Sequence, residues 1–113
     1  MKIVEETLSL EELKQMASAT FGDMVKAVVD VEQGVLALDA ELHADLESLL
    51  LEAGSQQKDL WGINLYPDAE ADAFIQYDSM INIRPSQGNK SRSVDNAETR
   101  ERILKIVLGK IRR

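Results

Sequence analysis

Cysteine is absent from this chain, which excludes disulfides, thiolate nucleophiles and cysteine-ligated zinc or iron–sulfur centres. Histidine occurs once, at His43, so any imidazole chemistry has a single starting point. Only five residues are aromatic (Phe21, Trp61, Tyr66, Phe74 and Tyr77), and the core must therefore be mainly aliphatic. Apolar runs stop at three or four residues, far short of the roughly 20 needed to cross a bilayer as a helix. The opening Met1-Lys2-Ile3-Val4-Glu5-Glu6 lacks a basic segment followed by an apolar one, so no signal peptide is expected. A cytoplasmic location fits these absences.

What is present is the composition of an ordinary globular protein, and 113 residues fit a single domain spanning 1–113. A domain of this length can bury about two thirds of the surface of its unfolded chain. The net charge of −7 argues against whole-molecule attraction to nucleic acid or anionic lipid. Its distribution is uneven. Seventeen of the 20 acidic residues precede position 84, whereas nine of the 13 basic residues lie from Arg84 onward. The C-terminal stretch contains no aromatic residue on which a base could stack, so nucleic acid is not the expected partner.

Ser9-Leu10-Glu11-Glu12 has the spacing of a capping box, and Leu10, Leu13, Met16 and Ala17 continue it as a helix that Phe21-Gly22 ends. Met24–Val31 and Val35–Leu38 flank a short turn containing Gly34 and read as a hairpin. Asp39 is placed to cap a second helix, whose apolar stripe is Leu42, Leu46, Leu49, Leu50 and Ala53. Leu60–Tyr66 puts Trp61, Ile63 and Leu65 on one face, and Phe74–Arg84 reads as a further alternating strand. Asp95 takes the cap position of a last helix that buries Ile103, Ile106, Val107 and Ile111. Ile3-Val4 adds an optional edge strand. This order implies an α+β fold, with an antiparallel sheet of about four strands in two hairpins and about three helices on one face.

Chemistry is best sought where the charge changes sign. Arg84, Ser86, Gln87, Gly88, Asn89, Lys90 and Arg92 combine cations, neutral donors and a glycine that lets backbone amides approach a ligand. This is the composition of an anion site for a phosphate, nucleotide or acidic peptide. The competing reading is a solvated loop that neutralises the acidic body. Gly88-Asn89-Lys90-Ser91 is not a P-loop, because Ile83 stands where its first glycine is required. Asn64, Tyr66, Asp78, Asn82 and Arg84 form an outward row able to extend such a site. The expectation for that row is solvent exposure.

His43, with Asp39 and Glu47 at i−4 and i+4, offers a weak metal or acid–base alternative in which the carboxylates raise the imidazole pKa. Asp68, Glu70 and Asp72 begin like a calcium loop. Ala73 and Ser79 replace its glycine and final glutamate. No cofactor is implied.

Four segments carry a resemblance. They are Gly22–Asp30, Glu41-Leu42-His43-Ala44-Asp45, Asp59–Pro67 with its Leu-Trp-Gly-Ile-Asn-Leu-Tyr-Pro run, and Asp78-Ser79-Met80-Ile81-Asn82-Ile83-Arg84-Pro85-Ser86-Gln87-Gly88-Asn89. Together they resemble a small bacterial family of unknown function, which implies a bacterial, cytoplasmic, single-domain protein and no particular activity. The expected activity is therefore non-enzymatic binding at the 84–92 loop, with Asn82 and Asn64 contributing. A protein–protein or homo-oligomeric module is the alternative, and an enzyme using His43 the third.

Overall fold

A computed structural model describes the backbone of residues 1–113 and every side chain except that of Ala71. In chain order the elements are β1 (Lys2–Val4), β2 (Leu8–Ser9), α1 (Leu10–Ala19), β3 (Val25–Asp30), β4 (Val35–Leu38), α2 (His43–Glu52), β5 (Leu60–Leu65), β6 (Ile75–Gln76), α3 (Ala97–Lys110) and β7 (Ile111–Arg112). Five strands form an antiparallel sheet in the order β1-β4-β3-β5-β6, and β2 pairs with β7 in a separate short parallel ribbon. The α+β class, the antiparallel sheet and the edge role of Ile3-Val4 are as the sequence implies.

The helices do not share one face. Val25, Ala27, Val29, Leu36, Leu38, Trp61, Ile63 and Leu65 pack beneath Leu13 and Ala17 of α1 and Ile103 and Val107 of α3. Val28, Ala37 and Leu60 point the other way and are covered by Leu46 and Leu50 of α2. The reason lies in the central strands. β3 is apolar at successive positions rather than alternate ones, and burying both sides requires cover on both.

Local signals explain most boundaries. The Ser9 hydroxyl oxygen accepts from the Glu12 amide at 3.1 Å, and Gly22, at φ 96°, carries the chain out of α1. The β3–β4 turn is held by buried Asp30, whose Oδ1 accepts from the amides of Glu32 and Gln33 and whose Oδ2 accepts from Ser55. Two expected caps are displaced. α2 starts after Leu42 with no side-chain cap, because Asp39 is still completing the exit from β4 at φ 75°. α3 is capped by Asn96, whose Oδ1 accepts from the Thr99 amide at 2.9 Å. Asp95 instead turns back to accept from Ser91 Oγ at 2.7 Å.

The largest departure is the segment after Phe74. Its strand lasts two residues, and short 3-10 turns at Met80–Asn82 and Pro85–Gln87 replace the expected alternation. β5 is thus paired with β6 only at Asn64 and Leu65, leaving the outer edge of Leu60–Ile63 without a strand. Asn82 closes that gap with its side chain. Its Oδ1 accepts from the Gly62 N–H at 2.8 Å and its Nδ2 donates to the Gly62 C=O at 2.9 Å, as a neighbouring peptide unit would. Arg84 donates to the carbonyls of Gln57 and Leu60, the latter at 2.6 Å, and its guanidinium lies 4.1 Å over the Trp61 ring.

Gly62 is required for this closure. A methyl group there would lie 2.5 Å from Ser79 Cβ and 2.6 Å from its Oγ. Replacing Asn82 by Ala leaves two buried backbone groups unpaired, at about 1–3 kcal/mol each. Denaturant unfolding should therefore show Asn82→Ala to be about 2–5 kcal/mol less stable than wild type, and Gly62→Ala about 1–3 kcal/mol less stable through overpacking. Exposed Ser86→Ala should stay within about 0.5 kcal/mol. An Asn82→Ala midpoint equal to wild type would mean that the edge is closed by something else.

Candidate functional site

On the α2 face, three polar side chains stand side by side across three strands. Lys26 of β3 is the register partner of Asn64 of β5, and Asn64 is the partner of Gln76 of β6. Directly opposed residues share a face, so the three form one row. The start of α2 and the turn after β6 wall this row into a cleft of about 420 Å³. Leu42, Met80 and Met24 supply apolar groups at its margin; Asp78, Ser79 and Arg92 supply polar ones. Gly62 makes the seat possible, since a side chain there would also come within 3.2 Å of His43 Cδ2.

His43 opens α2 and is buried against the sheet, with Nε2 2.8 Å from the Ile63 carbonyl oxygen. A neutral ring must donate there, which places its proton on Nε2 and leaves Nδ1 as an acceptor. Burial is the largest influence on its pKa and lowers it. The Ile63 carbonyl opposes that shift, Lys26 adds to it, and Asp78 and Asn64 oppose it. The flanking carboxylates expected to raise this pKa are not what governs it. Asp39, His43 and Glu47 are not brought together as ligands, and no group of three or more His, Asp or Glu placed to hold a metal ion occurs among the described residues.

Asn64 is the second unusual group. Its Nδ2 donates to Gln76 Oε1 at 2.9 Å, while its Oδ1 is buried and has no partner. Two other buried polar atoms among the described residues share that condition, Arg84 Nε and Glu47 Oε2. Those two belong to oppositely charged groups; burial lowers the pKa of Arg84, and the Glu47 carboxylate opposes that shift. The Asn64 side chain lies beside His43 and favours its protonated form by a hydrogen bond; with His43 neutral, Asn64 Oδ1 has no donor. Lys26 has no carboxylate within ion-pairing distance among the described residues. Arg92 does, donating to Asp78 Oδ1 at 2.6 Å with both side chains partly in solvent.

The loop beginning at Arg84 is divided between scaffold and surface. Arg84 is engaged with Gln57, Leu60 and Trp61 as described, and Gln87 Nε2 donates to the Lys58 carbonyl at 3.1 Å. Asn89 is buried. Its Nδ2 donates to the carbonyls of Asn82, Ser91 and Ser93, and its Oδ1 accepts from the Asp95 amide at 2.8 Å. Gly88 takes φ 80° to close the turn. The side chains of Ser86 and Lys90 are exposed, and Arg92 reaches the cleft. The outward row is likewise split, because Asn64 and Asn82 are buried rather than solvated. The α2 helix that the one-face arrangement placed elsewhere is what covers them.

Lys26, Gln76 and Ser79 were not among the sequence candidates. The available signal was Lys26, a lone cation inside a valine-rich strand, whose register with Asn64 follows only from the pairing of β3 with β5.

An antiparallel sheet covered on both faces, with a histidine-containing polar cleft on one of them, defines an α+β domain. The chain belongs to the family described as protein of unknown function (DUF5674), whose model matches residues 2–109. No curated protein and no solved structure was found to match it. Among the described residues, no helix is long and apolar enough to cross a membrane.

The lowered pKa of His43 has a stability consequence with a definite sign. The unfolded chain takes up the proton near pH 6.5, whereas the folded protein resists it until a lower pH. The unfolded state therefore binds more protons in that interval, and stability falls as pH drops through it; above it the contribution is full and constant. An NMR titration of the His43 ring should give a midpoint below that of a free imidazole, and His43→Gln should flatten the stability profile between the two values. A midpoint at or above the ordinary value would contradict the burial argument.

Proposed function

We propose that this protein binds a small molecule bearing a carboxylate or phosphate group and at least one N–H or O–H donor, held in the cleft between α2 and the β6 turn. The observation that carries this reading is Asn64 Oδ1, a buried acceptor with no partner at the floor of that cleft. A buried acceptor left unmade costs about 1–3 kcal/mol, and a ligand donor recovers it. His43 Nδ1 is a second acceptor in the same cleft. Lys26, free of an internal carboxylate, supplies the countercharge for the anionic group, with the Arg92 guanidinium beside it. Although the chain is acidic overall, the charged side chains lining this cleft sum to a positive value, with Lys26 and Arg92 against Asp78. The volume falls within the roughly 300–1,000 Å³ usual for small-molecule sites.

Binding rather than catalysis is the reading adopted, since His43 is the sole imidazole and its Nε2 is committed to the backbone. The 84–92 loop takes part through Arg92. The remaining members, Arg84, Gln87 and Asn89, support this reading by holding the segment that carries Ser79 and Arg92 against β5.

A ¹⁵N–¹H NMR titration with inorganic phosphate, acetate, glycine and a nucleoside monophosphate checks the assignment. The expected result is saturable shifts at Lys26, His43, Asn64, Gln76, Ser79 and Arg92, with Asn64→Ala weakening the best ligand about tenfold, the equivalent of about 1.4 kcal/mol. Shifts confined to Ser86, Gly88 and Lys90 would move the site to the outer surface of the loop. The absence of any shift at millimolar ligand would sink it.

A further inference from the structure

On the opposite face of the sheet, a larger groove of about 610 Å³ runs between β6 and α3. Phe74 and Ile75 lie at its base, with Tyr77, Leu104 and Leu108 along its sides. Leu104 and Leu108 are one helical turn apart and are 39% and 57% exposed, although Ile103 and Val107 already supply the stripe that α3 buries. Two guanidinium groups and one carboxylate, Asp72, flank this apolar surface, which leaves it net positive. Arg100 lies 4.5 Å over the Tyr77 ring and Arg113 lies 4.9 Å over the Phe74 ring. Arg100 is held in place, its Nε donating to the Val94 carbonyl and its Nη2 to Ser93 Oγ, both at 2.6 Å. Neither arginine has an ion-paired carboxylate among the described residues, in a chain with 20 acidic side chains to offer.

We propose that this groove docks an acidic amphipathic helix of another protein, whose apolar side chains cover Leu104 and Leu108 and whose carboxylates meet Arg100 and Arg113. Charge decides the occupant. Two copies meeting here about a two-fold axis would bring two net-positive patches together, each with Arg100 and Arg113 against a single Asp72, and head-to-tail copies would have to close into a ring or run on as an open chain. An anionic membrane is opposed by the net charge of −7. A free anion would leave the leucines uncovered. An amphipathic helix matches both features, because its i and i+4 apolar side chains repeat at the Leu104–Leu108 spacing. Arginines lying on aromatic faces are anchored for bidentate pairing with carboxylates.

The test uses two synthetic helical peptides with leucines at i, i+4 and i+7, one flanked by glutamates and the other by lysines. Fluorescence anisotropy should show binding of the glutamate peptide that weakens as salt is raised, with NMR shifts at residues 74–77 and 100–108. Leu108→Asn and Arg113→Gln, both at exposed positions, should each weaken it at least fivefold without moving the thermal midpoint. Equal binding of the lysine peptide, or no shift with millimolar glutamate peptide, overturns the proposal. It is also overturned if sedimentation shows self-association that Leu108→Asn abolishes, or if anionic vesicles perturb these residues and the peptides do not.

Discussion

A single side-chain amide standing in for a strand is the contact on which the rest of the structure depends. Four residues of β5 would otherwise present a bare edge, and such edges invite pairing with other chains. Asn82 offers Gly62 one acceptor and one donor, and its Nδ2 also reaches the Arg92 carbonyl at 2.9 Å. Among the other side chains, only glutamine carries the same planar amide. Arg84 caps the carbonyls further along the same edge, and Asn89 repeats the device one layer out, tying the backbone around Asn82 to the approach of α3. The chain closes the sheet with irregular backbone, provided that two asparagines remain buried and an arginine half-buried.

The same closure shapes the cleft. Because Gly62 has no side chain, Ser79 and the His43 ring can rest directly on β5, and because Asn82 fixes the turn, Ser79 is held there. The polar row of Lys26, Asn64 and Gln76 then lines the cleft, with Asn64 buried at its floor, Lys26 half-buried and Gln76 exposed at its rim. Stability and site geometry are linked at this point. A substitution that loosens the edge also widens the cleft, so loss of ligand binding by an Asn82 variant needs to be separated from loss of fold. Asn64 is the better probe, because its unpaired oxygen is not part of the edge.

The local elements were legible in the sequence because local forces set them. Ser9 caps α1 as its spacing requires, Gly34 turns the hairpin at φ 70°, and Ile103 and Val107 mark the buried stripe of α3. What was not legible depended on side chains acting at a distance. Alternation in Phe74–Arg84 looks like a strand, yet Asn82 satisfies the neighbouring backbone from the side, and no strand is needed. Asp39 and Asp95 have cap spacing but are engaged elsewhere, one at a positive φ after β4 and the other on Ser91. Arg84 reads as a ligand cation until its aromatic and carbonyl partners, 23 and more residues away in sequence, are known. Of the candidate loop, Arg92 is the cation that borders the cleft. His43 stands out in the sequence for its carboxylate neighbours, whereas burial governs its pKa.

The short β2–β7 ribbon has an effect on how this chain reaches its native state. Leu8 pairs with Ile111, and the Lys110 ammonium donates to the Glu5 carbonyl, joining residues 105 apart. Contacts between nearby residues form quickly, whereas a loop of that length loses entropy before its contacts return anything. The hairpin of β3 and β4 joins neighbours in sequence, whereas the ribbon closes almost the whole chain into a loop. Its two pairs then act as a latch. Leu8 and Ile111 are buried in the main core, so closing the latch also completes that core.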